Sequence, residues 1–231
     1  GIIGAMDVEI EHIAAQLENS RSETVSGITF ISGKLGGVSV TAAVCGIGKV
    51  FAAVCAQTMI IRFHADAIIN TGIAGSLSPQ LGELDTVVAE DVVQHDMDTT
   101  FFGDEPGLIS GINIVNIPCD KALSAAASAA AHEIGLECRT VRIASGDCFI
   151  NAAAHRREIA DKFGAIRSIY KWAVAAHIDK YIDFPAEIAH LIQLFLRETI
   201  APRKIAGCVH QQQFFGKAIP NVPRRARVDR V

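Results

Sequence analysis

The sequence predicts a single α/β domain, a three-layer sandwich with helices on both faces of a mixed central sheet. Three observations carry this. Apolar runs rich in Ile, Val and Ala alternate along the chain with segments of helical period, the pattern of strands covered by helices. Most of these runs are continuous rather than alternating, as strands buried on both faces require. Gly-containing turns close several of them, at the sheet edge where open α/β sheets bind ligands.

Taken in order, residues 1–5 read as the first strand, and residues 8–17 as a helix with Ile10, Ile13, Ala14 and Leu17 on its inner face. Residues 28–35 and 38–45 form a hairpin across Gly36-Gly37. A helix opens at Gly48 and runs to about Arg62, ahead of a strand over residues 67–70. Residues 86–93 are a further strand. The polar segment from His95 to about Gly111 is too long for a tight connection. Residues 120–134 are an Ala-rich helix, 138–144 a strand and 153–162 a helix. Past Ala165 the pattern weakens. Residues 171–180 and 186–198 read as helices, and only short apolar pieces, 205–209 and 214–219, follow Pro202. The expected organisation is one domain over residues 1–200 with a basic tail over 201–231.

Composition narrows the function classes. Residues 1–165 carry 10 Lys and Arg against 20 Asp and Glu, whereas residues 166–231 carry 11 against 5. The Arg224-Arg225-Ala226-Arg227 run has no interleaved aromatics on which bases would stack, so nucleic acid is not an expected partner. No stretch approaches the ~20 apolar residues of a membrane span. The first strand begins at once, with no leader evident. Six scattered cysteines without a CxxC pair read as reduced thiols of a cytoplasmic protein.

Several turns are candidates for chemistry. Gly1-Ile2-Ile3-Gly4-Ala5-Met6 delivers Glu9 to the sheet edge, although an acidic residue there also suits the helix dipole. Asn70-Thr71-Gly72-Ile73-Ala74-Gly75-Ser76 lets backbone amides approach a ligand, or is simply a turn. Gly46-Ile47-Gly48-Lys49 opens a helix and is a conceivable phosphate cradle, without Walker or dinucleotide spacing. Ser145-Gly146-Asp147-Cys148-Phe149-Ile150 ends a strand with an aromatic that either stacks on a planar ring or belongs to the core. His95-Asp96-Met97-Asp98 lacks a further ligand at metal spacing, so loop ordering or a subunit contact is expected of it. Ser145 lacks a nucleophile elbow.

Together and in this order, these motifs resemble the 5′-methylthioadenosine/S-adenosylhomocysteine nucleosidases of the purine nucleoside phosphorylase/hydrolase superfamily. The likeness spans residues 1 to about 165. It implies hydrolysis of an N-glycosidic bond to adenine and a thioribose, with no cofactor and no metal. It further implies that Glu9 activates water, and that Met6 and Ile47 surround the ribose and the 5′-alkylthio group. Ala74 and Gly75 would lie beneath ribose and base, and Cys148, Phe149 and Ile150 would form the purine pocket. Phe102 would reach across a homodimer into the neighbouring site.

Two family motifs do not recur. Ile169-Tyr170-Lys171 stands where the family has a sugar-binding Glu-Met-Glu, so that Lys171 reverses the charge. No Ser-Asp pair follows Ile166, although the family draws its general acid from one. Counted without gaps from Pro185, Leu194 occupies that position, and Asp179 and Asp183 precede it. An interior strand is still expected at the sheet position involved, because an open gap would leave backbone groups unpaired. A phosphorylase and a catalytically silent nucleoside-binding homologue stand as the alternative functions.

Overall fold

The computed structural model describes residues 1–79, 81, 85–165 and the backbone of 167–169. The helices read at 171–180 and 186–198, the tail over 201–231 and the positions Lys171, Asp179, Asp183 and Leu194 lie outside the described residues. The elements are β1 (Ile2–Gly4), α1 (Asp7–Ala15), β2 (Glu18–Val25), β3 (Ile28–Leu35), β4 (Val38–Val44), α2 (Lys49–Arg62), β5 (Ile69–Asn70), β6 (Gly75–Ser76), β7 (Thr86–Gln94), β8 (Asn116–Pro118), α3 (Lys121–Glu133), β9 (Cys138–Ser145), α4 (Ala153–Phe163) and β10 (Arg167–Ile169).

The α/β class and the mixed strand directions match the sequence reading. The hydrogen bonding divides the strands into two sheets of five, ordered β2-β3-β4-β1-β5 and β6-β10-β9-β7-β8. In the first, β1 runs parallel to β4 and β5, while β2 and β3 are antiparallel additions. In the second, β9 is parallel to both β7 and β10.

The core follows from strand alternation. Ile3 faces Phe30, Ala52, Cys55 and Met59 beneath α2, whereas its neighbour Ile2 faces Ile10, Ile13, Leu17 and Leu35 beneath α1. The first sheet is thus covered on both faces. Val93 and Ala144 pack with Ile159 and Phe163 of α4. The Ser124 hydroxyl of α3 donates to the Ala89 carbonyl of β7 at 2.9 Å. Asp120 caps α3, accepting from the Ala122 and Leu123 amides at 2.9 Å each. Arg142 ties β9 to β7 through Asp91 with bonds of 2.6 and 2.9 Å, and to the end of α4 through the Phe163 carbonyl at 3.0 Å.

Local chemistry sets several boundaries. Gly36 and Gly37 have φ of +58° and +87°, the two positive values that a tight hairpin turn demands. At β10, Arg167–Ile169 pairs with β9 on one side and β6 on the other. That strand occupies the position leading to the unmatched Ile169-Tyr170-Lys171.

Cys45, Cys55, Cys138 and Cys148 are free thiols. Among the described residues no helix is long and apolar enough to cross a membrane.

Candidate active site at the carboxyl edge of the parallel strands

Gly4 is where the site begins. A Cβ there would stand 2.6 Å from Ile10 Cγ1 and 2.9 Å from Glu9 Cβ, so only glycine lets α1 lie so closely against the end of β1. Met6, the residue before the helix, has no side-chain oxygen with which to cap it. Glu9, in the first turn, reaches back instead. Its Oε2 accepts from the Ala5 and Met6 amides at 2.6 and 3.1 Å, and its Oε1 accepts from the Ile73 amide at 3.1 Å.

Three amides from two loops therefore fix one half-buried carboxylate. The two sequence readings of Glu9, helix partner and site residue, describe the same side chain. Gly72 backs it closely: a Cβ at that position would collide with Oε1 and stand 2.8 Å from Cδ. The Thr71 amide donates to the Ile3 carbonyl at 3.0 Å and holds this loop against β1. Met6, Glu9, Ala74 and Gly75 are thereby brought to one corner, at the carboxyl ends of β1 and β5. Gly75 itself begins β6, opposite Ser168.

A second group forms where α2 begins. The Lys49 amide donates to Asp147 Oδ1 at 2.8 Å, and Lys49 Nζ lies 2.6 Å from Asp96 Oδ1. The Asp147 amide donates to Asp96 Oδ2 at 2.7 Å. The ring so closed spans the loops after β4, β7 and β9, and it joins the two sheets. It brings Ile47, before the helix, together with the segment carrying Cys148, Phe149 and Ile150. Ile150 is buried with Ile159 and Phe163, while the Phe149 ring is 49% exposed and Cys148 is exposed.

This arrangement corrects the phosphate-cradle reading of Gly46-Ile47-Gly48-Lys49. The first amide of α2 is already taken by the Asp147 carboxylate. It also gives His95-Asp96 the loop-ordering role expected of it. Burial alone would raise the Asp96 carboxyl, but the Lys49 ammonium and the Asp147 amide outweigh it and hold it below its ordinary 3.8. Burial pushes His95 below its ordinary value, aided by His155 and Lys49 and opposed by Asp96.

Ser145 Oγ is buried without a hydrogen-bond partner among the described residues, so none of the described histidines serves it as a base. Phe102 joins neither group within the protomer. Its ring is 80% exposed and packs edge-on against Phe101, with centroids 5.3 Å apart.

A family model of the phosphorylase superfamily matches residues 1–167. The chain belongs to that superfamily. A 5′-methylthioadenosine/S-adenosylhomocysteine nucleosidase from Shewanella sediminis is 36% identical over 188 residues, which is 80% of this chain and 81% of that protein. The crystal structure of the Campylobacter jejuni nucleosidase of the same description superposes with a TM-score of 0.78 at 25% identity, covering 85% of this chain and 97% of that one. Futalosine hydrolase of Helicobacter pylori superposes with a TM-score of 0.72 at 26% identity, covering 90% of this chain and 80% of that one.

Three features of the site were not read from the sequence: the Ile73 amide, the close backing by Gly72 and the Lys49–Asp96–Asp147 ring. Each pair of neighbouring Gly and charged residues was visible, but nothing in the sequence links positions 98 residues apart.

Proposed function

We propose that the chain hydrolyses the N-glycosidic bond of 5′-methylthioadenosine and S-adenosylhomocysteine, releasing adenine and a thioribose. The observation that carries the reading is the Glu9 carboxylate, oriented by the Ala5, Met6 and Ile73 amides at the carboxyl edge of β1 and β5. A carboxylate held in this way takes a proton from water as the water oxygen bonds to the anomeric carbon. The carbon–nitrogen bond to the purine breaks and the electron pair leaves with the base. Adenine takes a proton on a ring nitrogen from solvent, and Glu9 returns to solvent the proton it removed, so the net change is the addition of one water. Positive charge develops on the ribosyl group in between, as in other glycoside hydrolysis.

Met6, Ile47, Ala74 and Gly75 are the residues for the ribose and its thioether. Phe149 stacks on the purine, with Cys148 and Ile150 lining the base edge. Water is favoured over phosphate as the nucleophile because, among the described residues, the Ala5, Met6, Ile73 and Lys49 amides of these turns are occupied by the protein's own carboxylates, Glu9 and Asp147. Those charges repel a phosphate dianion at short range. The expected product in phosphate buffer is therefore the free thioribose, formed at a rate independent of phosphate. A ribosyl 1-phosphate product would replace this reading with phosphorolysis.

The reading includes a homodimer in which Phe102 enters the neighbouring site. Val50, Phe51 and Val54 on α2, and Phe101 and Phe102 in the loop after β7, expose large apolar side chains, Val50 at 72% and Phe101 at 93%, as an unpaired interface does. Phe102→Ala is expected to raise KM severalfold in a species that sedimentation shows to be a dimer. A monomeric wild-type protein, or an unchanged KM, would remove Phe102 from the site.

A further inference from the structure

The ring formed by Lys49, Asp96 and Asp147 has no part in the chemistry proposed for Glu9, yet it joins the two walls between which a nucleoside would sit. Helix α2 is preceded by Gly48, which offers no side chain to cap it and has φ of +103°. Asp147, 98 residues beyond Lys49, supplies the missing acceptor at 2.8 Å from the Lys49 amide. Its own amide is held by Asp96, which in turn holds Lys49 Nζ, so that each member is fixed by the other two. Gly146 reinforces the contact: a Cβ there would collide with the His95 ring and lie 3.0 Å from Asp96 Cγ. The loop after β9 therefore lies flush against the loop after β7 and cannot shift without breaking the ring.

We propose that Asp147 is a positioning residue that sets the gap between Ile47 and Phe149, and through that gap the affinity for the nucleoside. The inference rests on the nucleosidase reading for its ligand, but the mechanical link between the loops stands apart from it. The link acts on binding rather than on the bond-breaking step, because Glu9 is held by a different set of amides.

The test compares Asp147→Ala with Asp147→Asn. The alanine removes the acceptor for the Lys49 amide. The asparagine keeps a carbonyl oxygen in its place. Losing a hydrogen bond to a charged group corresponds to a rise in KM for 5′-methylthioadenosine of roughly ten- to a hundredfold. The expected result for Asp147→Ala is a rise in that range with kcat within about threefold of wild type. It is accompanied by faster hydrogen exchange in both residues 48–52 and 146–151, with α3 unaffected. Asp147→Asn is expected to restore most of the affinity and the protection.

An unchanged KM in Asp147→Ala, a loss confined to kcat, or an asparagine as damaging as the alanine would overturn the proposal. A wild-type chain that releases no adenine overturns the nucleosidase reading instead. In that event the exchange data still decide the link, since unchanged protection of residues 48–52 in Asp147→Ala contradicts it.

Discussion

Glu9→Gln is expected to lower the rate of adenine release by about 10²–10⁴-fold, the range typical of losing a general base. The side chain keeps its length and loses its charge, so the water loses its proton acceptor. The substitution also disturbs the hydrogen bonding in a defined way. Both carboxylate oxygens accept from backbone amides, at Ala5 and Met6 on one side and Ile73 on the other. A glutamine offers one oxygen, so its NH₂ group must face at least one of those donors. Binding of adenine, which is assigned to the loop carrying Phe149 and Ile150, should stay within about threefold, since the changed carboxylate is held by other loops. Measuring kcat alongside the adenine dissociation constant checks both statements. A variant that retains a rate within threefold of wild type would remove Glu9 from the mechanism.

Gly72→Ala is expected to cost about 10²-fold in kcat, the scale of an ångström-sized misplacement of a reacting group. Its Cβ would stand 2.8 Å from Glu9 Cδ, a distance that forces the carboxylate away from the Ile73 amide or displaces the loop. Overpacking of this kind costs about 1–3 kcal/mol of stability, so thermal melting belongs in the same experiment. The decisive comparison is a double-mutant cycle. If Gly72 acts by backing Glu9, adding Gly72→Ala to Glu9→Gln slows the reaction by no more than about twofold further. Fully additive losses would mean that Gly72 acts on something else.

The regular elements were legible where burial dictates pattern. The hairpin β3–β4 was readable from two apolar runs meeting at Gly36-Gly37, α1 from its inner face and α3 from its run of alanines. Strand β2 was not, because all but the last residue of Glu18–Val25 are exposed. It is an edge strand held by its backbone ladder to β3, which leaves no hydrophobic signature. β8 contains only three residues and ends in Pro118, too short a stretch for periodicity to register.

The site divides along similar lines. Glu9 stood out because a carboxylate follows a glycine turn within one segment. The groups that hold it, and the ring that joins Lys49 to Asp96 and Asp147, depend on loops meeting after three different strands. Such long-range contacts are products of the sheet order, in which β9 lies beside β7 while β1 lies beside β4. The glycines at 4, 72 and 146 are the sequence's trace of that closeness. Each marks a position where another segment occupies the space a Cβ would need.

The most direct measurement is adenine release from 5′-methylthioadenosine by the full 231-residue chain in phosphate-free buffer. The account predicts steady turnover yielding adenine and methylthioribose in equal amounts. A folded dimer that binds adenine but releases none from the nucleoside would contradict the account, and would make the chain a nucleoside-binding member of its superfamily.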